Sequence, residues 1–368
     1  MTNTPLSPTR EHTTELIDSL IGGLVDIKDA DGRFLQRLSD GRIVDTKGWA
    51  GWEWTHGIGL FGLYRYYQVS GSERAKEIID LWFSDRFAEG TPVKNVNTAC
   101  PFLTLALCYE EQPNPQWLPY LETWGRWLQH QLPRTDEGCF QHVTYENDHH
   151  QQIWDDTLMM AVLPLARIGK LLNKPEWIEE AKYQFTQHIQ YLAEPKTGLW
   201  YHGWNFDGRH HFAGALWARG NSWITLAIPE FLELLDLPPQ DALYRQLCNV
   251  LRNQVAALAE CQAENGLWPT LLNDPESYVE ASASAGFAAG IFKAVRLGYL
   301  ESHWLPVAQR ATEGVINHIT PQGELTQVSF GTAMGHDLDH YRNIPLTSMP
   351  YGQAMAILCL VESLRLHI

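Results

Sequence analysis

Two adjacent carboxylates, Asp155 and Asp156, stand near the start of the apolar stretch QIWDDTLMMAVLPLARIG at residues 152–169. If the whole stretch is helical, Ile153, Asp156 and Met160 share one face, and Asp155 projects about 100° away. Burial among apolar side chains raises the pKa of a carboxyl group and makes it a usable general acid. The pattern favours Asp156 for proton transfer and Asp155 for capping the helix. Position alone is equally compatible with a structural role, in which both carboxylates stabilise the positive N-terminal end of the helix dipole.

Composition narrows the class of protein. The 368 residues are 45% hydrophobic, which suffices for one large domain or two smaller ones. A formal net charge of -16 disfavours a nucleic-acid partner. The sequence has neither a run of about 18 apolar residues nor the apolar segment of a secretory signal. Six scattered cysteines without CxxC spacing are typical of reduced thiols, so we expect a cytoplasmic protein without a membrane partner.

Hydrophobic periodicity predicts an all-α chain of about twelve helices. Residues 26–51, rich in Gly and Asp, separate the first two helices and are expected to form a hairpin or an extended loop. Pro164 should bend the sixth helix, and Gly169 should end it. The helices are predicted at 11–25, from about Thr55, at 72–88, after Asn97, and at 115–130, 152–169, 175–192, 220–235, 239–260, 280–297, 302–319 and 352–366.

The even-numbered helices differ from the odd-numbered ones. The former contain few charges and many small residues, as in GFAAGIF and GQAMAILCL, which is typical of elements buried on all sides. The latter are amphipathic, as in KPEWIEEAKYQFTQHIQYL. Six buried helices alternating with six half-exposed ones predict an (α/α)6 barrel. No linker divides the chain, so residues 1–368 are expected to form a single domain.

If the inner helices run parallel, their first residues meet at one mouth of the barrel. Helix caps alone would explain Ser, Asn and Asp at these places, but not Trp, Arg and His. We therefore expect a shared pocket. The candidates are Trp54 and His56 at the second helix, Asn97 and Thr98 before the fourth, Asp156 and Met160 at the sixth, Trp217, Arg219 and Asn221 at the eighth, Ser284 at the tenth, and His142, His202 and Trp204 in loops.

Several of these segments resemble one enzyme family. QHVTYENDHHQQIWDDTLMMAVLPLARIG, LWYHGW, FAGALWARGNSW, SYVEASASAGFAAGI and MPYGQAM resemble the unsaturated rhamnogalacturonyl hydrolases, which are related to the unsaturated glucuronyl hydrolases. The resemblance spans nearly the whole chain. It implies a cytoplasmic (α/α)6 barrel without cofactor or metal. The implied reaction removes a 4,5-unsaturated uronic acid from the non-reducing end of lyase-generated pectin fragments.

The resemblance also implies roles for individual residues. Asp156, the Asp of a WxD motif followed four residues later by Met, falls on the general acid and base. His142, His202, Trp217 and Arg219 fall on residues that line the substrate site. One departure concerns a second acidic residue that some relatives have before the fourth helix, where this chain offers Asn95 and Asn97.

An unsaturated uronide is an enol ether, so hydration of its double bond needs only one proton-transferring group. Asp156 is expected to protonate C4 and then to take a proton from the water that adds at C5. Arg219 is expected to bind the uronate carboxylate through its planar fork, and Trp54, Trp204 or Trp217 to stack on the sugar ring. The partner is a small unsaturated oligosaccharide. A monomer and a homodimer are both compatible with the sequence.

Three other interpretations stay open. The numerous histidines suggest a metal site, although no HxH or HExxH spacing supports one. A sugar epimerase or isomerase could use the same barrel, because a fold does not fix a function. A sugar-binding protein without activity would keep Trp and Arg and would not need Asp156. Loss of the ultraviolet absorbance of an unsaturated uronide distinguishes hydration from the last two, and resistance of the activity to EDTA distinguishes it from a metal site.

Overall fold

The chain folds mostly into helices, which short strands and loops connect. The computed structural model describes residues 9–38, 41–331 and 333–366. Thirteen α-helices lie in these ranges, of which the five-residue α12 has no predicted counterpart. They are α1 (Arg10–Val25), α2 (Trp54–Ser70), α3 (Glu73–Glu89), α4 (Pro101–Glu111), α5 (Leu118–His130), α6 (Leu163–Leu171), α7 (Pro175–Leu192), α8 (Ala218–Leu235), α9 (Ala242–Cys261), α10 (Ala281–Arg296), α11 (Leu305–Ile316), α12 (Leu338–Arg342) and α13 (Pro350–Arg365).

Six helices form a closed inner ring. Each packs against the next in the order α2, α4, α6, α8, α10 and α13, and α13 returns to α2. The outer helices cover this ring, with α3 on α2, α5 and α7 on α6, α9 on α8, α11 on α10, and α1 on α13. The predicted (α/α)6 barrel is confirmed. Because each outer helix returns the chain, the inner helices all begin at the same mouth.

Burial follows the predicted alternation. In α13 every residue from Pro350 to Leu364 is buried, and in α10 every residue from Ala281 to Ala294. The outer helix α7 instead buries one stripe at helical spacing, which includes Trp177, Ala181 and Phe185. Inner helices thus contact neighbours on all sides, and outer helices keep a charged face in water.

Small residues allow the inner helices to approach closely. A Cβ atom on Gly290 of α10 would lie closer than 3.0 Å to the backbone carbonyl oxygen of Thr225 in α8. At another contact of the ring, a Cβ atom on Gly62 of α2 would lie 3.1 Å from Ala354 of α13. The Gly- and Ala-rich composition of the inner helices is therefore required by their spacing.

The prediction for residues 152–169 is wrong at its beginning and end. Gln152–Trp154 form strand β3, which pairs antiparallel with β4 (Gly203–Asn205). A π-helical turn (Leu158–Val162) follows, and α6 begins only afterwards, with Pro164 in its first turn. Gly169 does not end α6, which continues to Leu171. The pairing joins segments about 50 residues apart, so helical periodicity could not reveal it.

Short strands elsewhere shape the loops. Residues 26–51 contain a hairpin, one of the two predicted alternatives, in which β1 (Leu35–Arg37) pairs with β2 (Ile43–Asp45). Strand β5 (Trp268–Pro269) pairs with β6 (Val279–Glu280) directly before α10. Of the helices that the structure describes, none combines the length and the apolar character that crossing a membrane requires.

The contact between α8 and α10 can be tested with Gly290→Ala. The added methyl group meets the backbone of Thr225, which cannot rotate away. We expect a loss of roughly 1–3 kcal/mol in the free energy of unfolding, the usual scale of overpacking. Gly22→Ala in α1 is the matched control, because its Cβ atom would lie 3.8 Å from its nearest neighbour, the flexible Arg74 side chain. Equal urea midpoints for the two variants would contradict the close approach.

Candidate active site

A cavity of about 280 Å³ opens at the mouth where the inner helices begin. The first residues of α2 and α8, the turn before α4 and the end of β3 form its wall, and the β1–β2 hairpin contributes to it as well. The shared pocket predicted from the helix starts therefore exists. Six of the candidate residues line it: Trp54, Asn97, His142, Asp156, Trp217 and Arg219.

Asp156 lies in the turn between β3 and the π-helical turn, where its side chain reaches the cavity. This side chain is 19% exposed, and its Oδ1 lies 3.5 Å from the Nδ1 atom of His142. Burial raises the pKa of Asp156 to about 7, although the charge of Arg219 acts in the opposite direction. The group can therefore hold and release a proton near neutral pH.

Asp155 lies beneath Asp156 and is completely buried. Its backbone N–H continues the β3–β4 pairing by donating to the carbonyl of His202 at 2.9 Å. Its carboxyl group packs against the backbone of Gly220, where a Cβ atom would be too close. Burial, and then the charge of Asp156, raise the pKa of Asp155 well above its usual range. The predicted capping role is wrong, because Asp155 lies in the turn directly after β3 and its carboxyl oxygens accept no hydrogen bond from the described residues.

His142 supports Asp156 from the side. Its ring stacks on Trp154 with centroids 4.0 Å apart, and its Nδ1 atom lies 2.8 Å from the Thr157 hydroxyl. Burial lowers the pKa of His142 well below its ordinary value, so the ring is neutral at neutral pH. It therefore interacts with the Asp156 carboxyl group as a dipole and not as a cation.

Arg219 lines the cavity, but both terminal nitrogens of its guanidinium group are already hydrogen-bonded within the protein. One terminal nitrogen donates to the backbone carbonyl and to the hydroxyl of Ser329, and the other donates to the Phe330 carbonyl at 2.9 Å. The guanidinium group also lies over the rings of Trp217 and Tyr351, 4.5 and 4.9 Å from their centroids. The guanidinium group therefore does not offer the two free N–H donors that were expected to bind a carboxylate. Its donors hold the loop at Ser329 in place. Its positive charge still acts on Asp156.

Aromatic rings form the remaining wall. Trp54 stacks on Tyr351 with centroids 4.5 Å apart and meets the edge of Trp223. Trp217 is 3% exposed, and its indole Nε1 has no hydrogen-bond partner among the described residues. A buried donor without a partner is costly, so a ligand atom that accepts from it would be favoured. Trp204, another predicted stacking residue, lies outside the wall and packs on Tyr191.

Six predicted binding residues are buried away from the cavity wall, and four of them hold loop backbone. His56 accepts the Glu53 N–H at 3.1 Å through Nδ1 and lies 2.7 Å from the Gly48 carbonyl through Nε2. Asn221 bonds both the N–H and the carbonyl of Trp200, each at 2.8 Å. The six are His56, Thr98, Met160, His202, Asn221 and Ser284.

The other four have equally structural surroundings. The Thr98 hydroxyl donates to the Val93 carbonyl at 2.9 Å, and the Ser284 hydroxyl accepts the Trp268 N–H at 3.0 Å. The ring of His202 lies 2.7 Å from the Tyr341 hydroxyl. Met160 donates its backbone N–H to the Asp156 carbonyl at 2.9 Å, as in a helix, but its side chain is fully buried in the hydrophobic core and does not line the cavity.

Sequence reasoning missed most of the other wall residues, among them the ionisable side chains of Glu53, Tyr145 and Glu146. Glu53 is the N-cap residue of α2 and stands between two tryptophans in GWEWTHG, a position that could have drawn notice. Tyr145 and Glu146 lie in the loop after His142 and carry no comparable signal. No group of three or more His, Cys, Asp or Glu side chains is placed to hold a metal ion in the described ranges.

Comparison with known proteins identifies the family. The family model described as Glycosyl Hydrolase Family 88 matches residues 26–367. The chain belongs to this family. Unsaturated rhamnogalacturonyl hydrolase YesR of Bacillus subtilis is 28% identical over 317 residues, which are 85% of this chain and 90% of YesR.

Two crystal structures are much more similar to this family 88 member. One, of a possible member of the GH105 family from Salmonella enterica serovar Paratyphi A, is 62% identical, with a TM-score of 0.97 over 98% of this chain and 96% of that chain. The other, from Klebsiella pneumoniae, is 60% identical, with a TM-score of 0.97 over 98% and 95%. The resemblance to unsaturated rhamnogalacturonyl hydrolases is confirmed, and the protein is a glycoside hydrolase.

The buried Asp155 predicts a pH dependence of stability. Its pKa is raised in the folded protein, so the stability associated with it is complete below the unfolded value near 3.8 and is lost as pH rises. Asp155→Asn keeps the shape of the side chain but has no ionisable group, so this loss of stability at higher pH should not occur. The melting temperature of the variant should therefore fall less between pH 5 and pH 8 than that of the wild type. Asp207→Asn at an exposed loop serves as control, and parallel curves for all three proteins would contradict the burial of Asp155.

Proposed function

We propose that this glycoside hydrolase removes a 4,5-unsaturated galacturonyl residue from the non-reducing end of rhamnogalacturonan fragments made by lyases. The observation that carries the proposal is the Asp156 carboxyl group, which faces the cavity with a pKa raised to about 7. A group of this pKa is an efficient proton donor and acceptor near neutral pH. The name of YesR supports the substrate class.

The reaction proceeds by hydration of the C4=C5 double bond. Asp156 gives its proton to C4, and the positive charge that develops at C5 is shared with the ring oxygen. Water then adds at C5 and loses a proton to the Asp156 carboxylate. The product is a hemiketal, which opens to a ketone and releases the sugar at C1 with its glycosidic oxygen. Each proton given by Asp156 is returned, so the enzyme ends as it began.

A single carboxyl group suffices for this route. Ordinary glycosidases place two carboxylates on either side of the glycosidic bond. Asn97 lines the cavity in the turn before α4, where some relatives have an acid, and an amide cannot exchange protons in this way. Hydration of an enol ether does not need a second carboxylate, because one residue acts first as acid and then as base. His142, which is neutral and lies beside Asp156, can orient its carboxyl group.

The uronate end of the substrate is assigned to Trp217 and Arg219. The free indole N–H of Trp217 can donate to the substrate, and the positive charge of Arg219 favours a nearby carboxylate even though its own donors bind backbone. The partly exposed ring of Trp54 offers a face for the flattened sugar. Elimination removes the stereocentre at C4, where galacturonic and glucuronic acid differ. The two types of unsaturated residue therefore differ only in their linkage at C1.

The proton-transfer role is tested with Asp156→Asn. The amide keeps the shape of the side chain but cannot give a proton, so turnover should fall by roughly 10²- to 10⁴-fold, or further because one residue serves both steps. Turnover is followed as loss of the ultraviolet absorbance of the conjugated double bond. Asp207→Asn, an exposed substitution with the same change in charge, should leave the rate unchanged. Full activity of Asp156→Asn with intact melting temperature would refute the assignment.

Arg219→Lys tests the two tasks of the guanidinium group. Lysine keeps the charge but cannot serve the carbonyls of Ser329 and Phe330 together. We expect kcat/KM to fall by an amount equivalent to about 1–3 kcal/mol, together with a lower melting temperature. Arg126→Lys on the exposed face of α5 is the matched control. If both kcat/KM and melting temperature stay unchanged, Arg219 does not hold this loop.

A further inference from the structure

Glu280, the N-cap residue of α10, carries a fully buried carboxyl group that does not line the cavity. Its Oε1 accepts the Ser329 N–H at 2.8 Å, and its Oε2 accepts the Ala283 N–H at 2.6 Å. The Ser282 hydroxyl lies 2.7 and 3.0 Å from the two oxygens and donates to them. Each of these partners is a donor, and such surroundings favour an ionised carboxylate. Glu280 therefore places a negative charge inside the protein.

The cation closest to this charge is Arg219. Its Nη1 atom lies 3.9 Å from Oε1 of Glu280, and the two side chains are 1% and 0% exposed. Both groups also bind Ser329, which donates its N–H to Glu280 and accepts from Arg219 through its carbonyl. Arg219 lines the cavity and Glu280 does not, so the positive member of the pair faces the site. Water screens such buried charges only weakly.

Asp156 responds to the charge of Arg219. Burial raises the pKa of Asp156, and the positive charge of Arg219 opposes that rise. A full positive charge would favour the Asp156 carboxylate and leave less of the protonated form that begins the proposed reaction. The negative charge of Glu280 lies behind Arg219 and offsets part of its field.

Most other titratable groups around Asp156 in the described part of the chain are uncharged near pH 7. Burial raises the pKa of Glu53 to about 8 and lowers that of His202 to about 3. Glu146 is exposed at the rim, where water screens its charge. Burial raises the pKa of Tyr278 and Tyr351 beside the pair. It shifts the pKa of five further groups toward the uncharged form: Cys100, His142, Tyr145, His149 and Asp155.

We propose that Glu280 is a positioning residue that offsets the charge of Arg219 and thereby lets Asp156 keep its proton near neutral pH. This role rests on the proposed function, in which Asp156 is the proton donor. Glu280 also anchors Ser329 and, with it, the loop that brings Phe330 and Gly331 to the wall. The two effects can be separated, because the electrostatic effect depends on pH and the anchoring does not.

The test is Glu280→Gln, with kcat measured against pH from the loss of ultraviolet absorbance of an unsaturated galacturonyl-rhamnose disaccharide. In the wild type, kcat should decline as Asp156 loses its proton, around its pKa of about 7. Glutamine keeps the length of the side chain and carries no charge, so this decline should move by about one pH unit to lower pH. The ratio of wild-type to variant kcat should then be about tenfold larger at pH 8 than at pH 5.

Glu280→Asp and Glu280→Asn separate charge from anchoring. Both shorten the side chain by the same amount, and both residues are good helix caps for α10. They differ in charge alone, so kcat of the Asn variant should decline at lower pH than kcat of the Asp variant. This pair decides the outcome if Glu280→Gln does not fold. Glu122→Gln on the exposed face of α5 is the control and should keep the wild-type profile.

A decline at the wild-type pH in Glu280→Gln, together with identical profiles of the Asp and Asn variants, would overturn the role of Glu280. An equal loss of kcat at every pH would also overturn it, because anchoring alone gives that result. Both outcomes leave the proposed function intact. If the wild type does not consume the unsaturated disaccharide, the proposed function fails, and the role of Glu280 fails with it.

Discussion

Closure of the inner ring is the constraint from which the site follows. Six helices can close a ring only if each contacts two neighbours, and the outer helices return the chain so that all six begin at one mouth. The N-terminal end of a helix carries partial positive charge and unpaired N–H groups. This explains why buried carboxyl groups are tolerated here. Glu280, fully buried at the start of α10, accepts the Ala283 N–H at 2.6 Å and the Ser329 N–H at 2.8 Å.

Glu280 and Arg219 together hold a loop from two sides. Glu280 accepts from the N–H of Ser329, while Arg219 donates to the Ser329 and Phe330 carbonyls. Glu280 Oε1 and the Arg219 guanidinium group lie 3.9 Å apart, both completely or almost completely buried. A buried charge is stable only when it is paired and hydrogen-bonded, and this arrangement meets both requirements. The loop at Phe330 is thereby fixed against the cavity, and the segment WARGN serves fold and site together.

The sequence predicted the ring and the mouth because both depend on local periodicity and on residue types at helix starts. It failed at residues 152–157, because β3 forms only by pairing with β4, about 50 residues away. It also assigned to the substrate several polar residues, such as His56 and Asn221, that bond loop backbone. In a sequence, a residue that caps a helix or ties a loop looks the same as one that faces a ligand. Only the direction of the side chain distinguishes them.

Burial gives the mouth a nearly neutral set of titratable groups. It raises the pKa of Glu53 to about 8 and that of Asp156 to about 7, and it lowers the pKa of His202 to about 3. Near pH 7, His202 has therefore lost its proton and Glu53 largely keeps its own. Glu53 and Asp156 both have a pKa raised toward neutrality, and Asp156 is the one of the two that lies beside His142. Protonation of an enol ether and removal of a proton from water require the two forms in succession. The same desolvation that makes this mouth costly to fold thus raises the pKa of the carboxyl group to which we assign proton transfer.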